Sequence, residues 1–314
     1  MDTSKLAVMT MISNPVRYHV RPRLYREFKH HIENDLGMKL WTVEVAFGDR
    51  HFEVTCKDDP YALQLRTRWE IWHKENALNL LRAHIQRLRP EMEYFAWVDA
   101  DIHFSRRDVF LETVHQLQHH PVVQLWSNAS DLDHKGRVMQ TFKSFGAAYA
   151  DNSWIAPNEK DPYGYPHTGY AHAARAEWLD EVGGLFDLSP VGSGDYIMCW
   201  AQIQKLDKWL AWRERQGFTK DYINSVAEFQ RRCKNFFGDY GVVEGHINHY
   251  WHGKKKHRHY ISREEIMVRD QFSPSLDLKR DVQGLWALTM REPRLLYDLR
   301  WYFRQRNEDS IDND

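Results

Sequence analysis

Asp99 and Asp101 stand two apart at the end of Tyr94-Phe95-Ala96-Trp97-Val98-Asp99-Ala100-Asp101. Two carboxylates at that spacing suit a hard divalent cation that carries phosphate oxygens, because such a cation takes one or two carboxylates and leaves its other positions to water and substrate. The apolar run before them has the length of a buried strand, and ligands of open α/β sheets gather beyond the carboxyl ends of strands. The plainer alternative is that Asp99 caps a following helix, or that both acids solvate a turn. Downstream, His246, His249 and His252 recur every third residue. Imidazole binds manganese as well as zinc, so these side chains are candidates to complete a metal site. Lys254, Lys255, Lys256, His257 and Arg258 follow and offer charge to a diphosphate or a phosphate-bearing acceptor, if they are not simply a solvated basic loop.

The elements that must position these groups alternate. Leu6–Ile12 reads as a buried strand stopped before Pro15, and Arg23–Asp35 as a helix closed at Gly37. Leu40–Phe47 is a strand by its β-branched and aromatic content, Phe52–Thr55 a second extended piece, and Thr67–Leu88 a long helix ending before Pro90. After the acidic turn come a helix at Arg106–Gln118 and a strand at Pro121–Trp126. Asn128–Pro166 is irregular, with one strand near Gln140–Phe145. Tyr170–Val182 reads as a helix stopped by Gly183-Gly184, and the glycine-punctuated turn Leu185–Gly194 delivers Asp195, a further site candidate. Helices near Tyr196–Leu206 and Tyr222–Phe236 and a strand at Gly241–Ile247 complete the order. The remainder from Arg263 reads as partly helical and packed on the outside. Such alternation predicts an α/β fold with a mainly parallel sheet flanked by helices and right-handed crossovers.

With 314 residues the chain can bury one substantial core, and nothing requires two full domains. A formal net charge of -1 argues against a protein that coats nucleic acid or binds membranes through overall basicity. The three cysteines, Cys56, Cys199 and Cys233, are widely spaced and fit a reduced, cytoplasmic setting. No signal-like or bilayer-spanning apolar segment is present in the sequence.

The combination Trp72-His73-Lys74-Glu75-Asn76 through Asn79, followed about twenty residues later by Asp99-Ala100-Asp101, resembles the GT-A-fold glycosyltransferases, especially the large inverting family 2. The resemblance covers roughly residues 5–255. It implies a Rossmann-like nucleotide-binding half (1–105), a sugar and acceptor half (106–260) and a helical C-terminal extension (261–314). It assigns Asp49, Lys74, Asn76, Asn79 and Asp99 to the nucleotide, and Asp99 and Asp101 to the metal, with His252 and then His249 as imidazole ligands. Gly169–Arg175 and the Gly183-Gly184-Leu185-Phe186-Asp187 turn are similar to the segment that lines the sugar, which brings in Arg175. Lys254 and Lys255 would meet the diphosphate. Asp195 stands where the family has the second acid of a Glu-Asp pair, its catalytic base, while Gly194 replaces the first acid. The segments AFGDR, WHKEN, WVDADI, HQLQH and WHGKK are also similar to uncharacterised glycosyltransferase-like proteins of tailed bacteriophages, which implies a host cytoplasm.

The resulting expectation is transfer of a sugar from a nucleotide-sugar, a UDP-sugar favoured, to an acceptor hydroxyl with Mn²⁺ or Mg²⁺. Inversion is expected, and the acceptor is a modified DNA base, a glycan or a protein. A nucleotidyltransferase is the rival enzyme, weakened because Met9–Arg17 has no glycine-rich phosphate loop. A binding protein that kept the fold without turnover is the other rival.

Overall fold

The computed structural model describes residues 2–154, 165–260 and 262–311. In chain order the elements are β1 (Leu6–Ser13), α1 (Val20–His30), β2 (Leu40–Phe47), β3 (Ala62–Thr67), α2 (Lys74–Leu88), β4 (Tyr94–Val98), β5 (Ile102–Phe104), α3 (Val109–His119), β6 (Val122–Gln124), β7 (Asn128–Leu132), β8 (Val138–Lys143), α4 (Phe145–Ala150), β9 (Ala171–Arg175) and α5 (Ala176–Val182). There follow α6 (Gly194–Gln202), α7 (Asp207–Arg215), α8 (Lys220–Arg232), β10 (Tyr240–Val242), β11 (His246–His249), α9 (Glu265–Arg269), α10 (Pro274–Asp277), β12 (Leu278–Arg280), β13 (Trp286–Leu288) and α11 (Pro293–Gln305).

A seven-stranded sheet has the order β10-β6-β9-β4-β1-β2-β3. Within it β9 runs antiparallel to both neighbours, and the other described pairings are parallel. Successive side chains of β1 face opposite ways: Ala7 and Met9 join the hydrophobic cluster under α2, while Leu6 and Val8 join the one under α1 and α3. A strand buried on both faces must be apolar throughout, which is why Leu6–Ile12 shows no alternation. The α/β class and the mainly parallel, helix-flanked sheet are therefore those the sequence pattern predicts.

A second sheet, β5-β11-β7-β8, stands at the carboxyl end of β4. It corrects the expectation of an irregular Asn128–Pro166: β7 and β8 form a hairpin. Asp131 in β7 hides the strand's period, because its buried carboxylate has partners, Tyr170 and His249, that lie far off in the sequence. Residues 155–164 of that stretch lie outside the described residues.

Other expectations change as well: Gly241–Ile247 is split between β10 and β11, which lie in different sheets, and α2 starts at Lys74 rather than Thr67. Tyr170–Val182 is not one helix; Ala171–Arg175 is a strand wedged between β4 and β6, where pairing overrides the helix propensity of its alanines. Phe52–Thr55 is not a strand. The buried Glu44 carboxylate accepts from the amides of Glu53, Val54 and Thr55 and holds them as a loop. The segment after Arg263 does not pack on the outside: Met267, Phe272, Leu285, Leu295, Leu299 and Tyr302 belong to the same hydrophobic cluster as α2 and the sheet.

Candidate active site

Strand β4 ends at Val98, and the amide of Asp99 donates to the Tyr170 carbonyl at 2.8 Å as the chain leaves the sheet. Asp101 lies in the turn into β5. Strand β11 pairs antiparallel with β5, setting His249 opposite Ile102, and parallel with β7, setting His249 opposite Asp131. Register thus sets His249 between Asp131 of β7 and the turn that carries Asp101. His252 follows three residues later.

These groups form a compact donor set. Asp101, His249 and His252 are all buried, and one ligand atom from each lies within 4.8 Å of the others. His252 Nε2 is 3.1 Å from Asp101 Oδ2 and 3.1 Å from His249 Nε2, and His249 Nε2 is 3.9 Å from Asp101 Oδ1. A divalent ion about 2.1 Å from each donor sets adjacent donors about 3 Å apart, so the three fit one ion with little movement. His249 Nδ1 donates to Asp131 Oδ1 at 2.8 Å, which turns its Nε2 lone pair toward Asp101. Asp131 also pairs with Lys255 and accepts from the Tyr170 hydroxyl at 3.0 Å. Burial works to raise its carboxyl, yet His249 and Lys255 outweigh that and hold it below the usual range.

Burial first, then the nearby Arg258 and Arg21, keeps His252 neutral, its pKa well below the ordinary value. Arg21 Nη2 contacts His252 Nδ1 at 3.1 Å. A guanidinium only donates, so Nδ1 accepts and the ring proton sits on Nε2. Coordination through Nε2 therefore requires Arg21 to release Nδ1 so that the proton can move there. Arg21 is held by Asp101 at 3.2 Å and by Glu308 at 2.8 Å. Glu308 reaches this point because the tail crosses Gly253: a Cβ there would lie 2.7 Å from the Asn307 carbonyl oxygen.

A cavity of about 700 Å³ opens over this cluster and takes in Lys74, Glu75, Asp99, Asp195 and Lys255. Lys74 begins α2 and pairs with Asp99. Burial works against its charge, but Asp99, Glu75 and Asp195 outweigh it and hold the ammonium above the usual lysine range. Asp195 lies in the first turn of α6, where Oδ1 accepts from the Tyr196 amide at 2.9 Å. Gly169 leaves room for it, since a Cβ there would meet Asp195 Oδ2 at 2.8 Å. The turn before α6 is strained: Ser193 has φ +75°, as Tyr170 across the cavity has φ +77°.

Several residues singled out from the sequence lie elsewhere. Asp49 is exposed in the turn after β2, outside the cavity lining. Asn76 accepts from the Trp286 amide at 2.8 Å and fixes the β12–β13 hairpin to α2. Asn79 donates to the Leu185 carbonyl at 2.9 Å and accepts from the Leu185 amide at 2.8 Å, clamping the Gly183-Gly184 turn. Asp187 in that turn meets Arg280 at 3.0 Å. Arg175 donates to the carbonyls of Leu117 and Gln118, at the C-terminal end of α3. The antiparallel course of β9 explains this: Ala171 is opposite Val98 at the cavity edge, and Arg175 is opposite Tyr94 at the far edge. His246 and Lys254 are also outside the cavity lining, and Asp99, engaged by Lys74, is outside the three-residue donor set.

The structure adds residues that the spacing did not single out. Asp131 was hidden in a stretch read as loop. Glu75 sits where Gly194 lacks a side chain: a Cβ on Gly194 would lie 2.8 Å from Glu75 Oε1. Its presence in Trp72–Asn76 was the available signal. Arg21, Arg306 and Glu308 come from α1 and the segment after α11, and no local pattern places them beside His252.

No protein-family profile and no curated protein matches the chain. Among solved structures it is similar to a 1.90 Å crystal structure from Desulfovibrio desulfuricans G20, described provisionally as a nucleotide-diphospho-sugar transferase. The identity is 12%, 99% of this chain and 100% of the other are covered, and the TM-score is 0.32, too low to carry a functional assignment.

Proposed function

We propose that the chain is a metal-dependent glycosyltransferase that moves a sugar from a nucleoside-diphosphate donor, a UDP-sugar favoured, to an acceptor hydroxyl. The observation that carries this reading is one cavity holding the Asp101–His249–His252 donor set, the Lys74–Asp99 pair and Asp195. A divalent ion on that donor set would supply Lewis acidity to the departing diphosphate. Two imidazoles and one carboxylate favour Mn²⁺ over Mg²⁺, which prefers oxygen ligands.

The chain's own residues do the rest. Lys74 brings a fixed positive charge to the negative charge that develops on the leaving diphosphate. Asp195 accepts the proton of the acceptor hydroxyl as its oxygen bonds to the anomeric carbon and the bond from that carbon to the phosphate oxygen breaks. Asp131 orients His249, and Asp99 holds Lys74. Attack from the side opposite the diphosphate gives inversion. Host cytoplasm and a viral origin belong to the same proposal; among the described residues no helix is long and apolar enough to cross a membrane.

The test is titration with UDP with and without Mn²⁺, repeated with Asp101→Ala. Metal-dependent binding that the variant loses is the expected result, and Asp195→Asn should then bind UDP normally while losing transfer. If UDP, GDP, CDP, ADP and dTDP all fail to bind, the reading is wrong.

A further inference from the structure

The chain after β11 contributes, among the described residues, Lys255, Arg258, Arg263 and Arg306 to the cavity lining against the acids Glu264 and Glu308. Arg258, Arg263 and Arg306 all line the cavity and are only 7%, 9% and 6% exposed. Among the described residues neither Arg258 nor Arg263 has a carboxylate within ion-pair distance. Their described hydrogen-bond partners are phenols and a hydroxyl, with Arg258 donating to Tyr260, and Arg263 to Ser193 at 2.9 Å and to Tyr302 at 3.5 Å, and the Arg263 guanidinium also lies over the Trp72 and Tyr260 rings. Nε of both finds no described partner. Arg306 has Glu308, but that carboxylate is shared with Arg21. Glu264 is taken by Arg213 and by the Ser193 hydroxyl. Burial works to raise the phenol of Tyr302, yet Arg306 and Arg263 outweigh it and bring it below its ordinary value, a sign of the positive field in this part of the lining.

Buried guanidiniums are stable when an anion shares their surroundings, and their planar donor forks match phosphate and carboxylate oxygens. The nucleotide side already has its charges in Lys74 and the metal donor set. Arg263 is instead tied to the turn that presents Asp195: it donates to Ser193, and its Nη1 and the Trp72 ring lie 3.4 Å and 3.2 Å from the Cβ position of Gly192. We propose that Arg258, Arg263 and Arg306 form an oxyanion subsite that holds an anionic group of the acceptor, a phosphate or carboxylate, beside Asp195. This rests on the transferase reading for the word acceptor, but the anion site itself does not. The acceptor is then a phosphorylated or acidic hydroxyl compound rather than a neutral sugar.

Inorganic phosphate is the probe, added to the full chain saturated with UDP and Mn²⁺ and followed by calorimetry and ³¹P line broadening. Phosphate should bind at millimolar concentration, and Arg263→Gln should weaken it about tenfold or more. Arg263→Lys should fall between, since it keeps the charge and loses the fork. Arg258→Gln gives a second reading if Arg263→Gln fails to fold. Saturating UDP and Mn²⁺ that abolish phosphate binding would assign the arginines to the donor and overturn the proposal, as would wild-type protein that takes no phosphate at any millimolar concentration. A parallel titration without nucleotide separates the two readings: phosphate bound by a protein that binds no nucleotide sinks the transferase and leaves the anion site.

Discussion

Asp131 and Glu75 show how much of the site depends on groups that need not touch a substrate. Asp131 fixes the tautomer of His249, so Asp131→Asn should cost about 10–100-fold in Mn²⁺ affinity, whereas Asp101→Asn should remove measurable Mn²⁺ binding in the same titration. Glu75 is buried against Gly194, and burial raises its carboxyl to about 7, with Asp195 adding to the rise and Lys74 opposing it. Since 7 lies above the ordinary glutamate value of 4.5, the folded protein holds this proton more tightly than the unfolded chain. The stabilisation is complete below pH 4.5 and is lost as pH rises through 7. Glu75→Gln keeps the neutral form at every pH, so its stability relative to wild type should improve from pH 5 to pH 8, by at most about 3 kcal/mol. Thermal unfolding at those two pH values checks it, and a difference that does not change with pH would refute it.

Helix α2 carries two kinds of residue in one short run. Lys74 and Glu75 face the cavity, while Asn76 and Asn79 hold distant backbone in place. Asn79 packs so closely on Gly184, whose φ is +89°, that a Cβ there would sit 2.7 Å from Asn79 Oδ1. Asn79→Ala leaves the Leu185 amide and carbonyl unpaired and should destabilise the fold by about 1–3 kcal/mol in urea denaturation. UDP affinity of the folded protein should be unchanged; a large loss of affinity at full stability would instead return Asn79 to the nucleotide.

The start of α1 and the segment after α11 meet over Asp101, His249 and His252. Asp309 accepts from the His19 and Val20 amides at the start of α1, Trp251 donates to the Ser310 carbonyl, and Glu308 joins Arg21 to Arg306. Burial works to raise the Glu308 carboxyl, but Arg21 and Arg306 outweigh it and bring it down to about 2. A depressed carboxyl stabilises the fold above its unfolded value of 4.5, and that stabilisation is lost as pH falls through 2. Glu308→Gln leaves the buried Arg306 and the partly buried Arg21 short of their counter-charge and should cost about 3–5 kcal/mol at neutral pH, with a smaller deficit at pH 3. It also frees Arg21, so a folded sample should show altered Mn²⁺ affinity; unaltered affinity would mean that the Arg21 contact with His252 has no bearing on the metal.

The amino-acid sequence by itself determined the elements whose partners are local or generic. The apolar runs at Leu6–Ile12 and Tyr94–Val98, the stop at Pro15 and the acid pair after Val98 mark strands, a break and a sheet edge without reference to anything distant. From these the α/β class and the candidate acids Asp99 and Asp101 followed, and the histidine repeat offered His246, His249 and His252 alike. Pairing decided the rest. Whether Arg175 reaches the cavity depends on the direction of β9, which its alanines do not encode, since by themselves they favour a helix. Asp131 became the partner of His249 through the register of β7 with β11, fixed over more than a hundred residues of intervening chain. The charges of Arg258, Arg263, Arg306 and Glu308 acquired meaning only when the tail folded back across Gly253, since the burial that makes an unpaired guanidinium costly is a property of the packed chain.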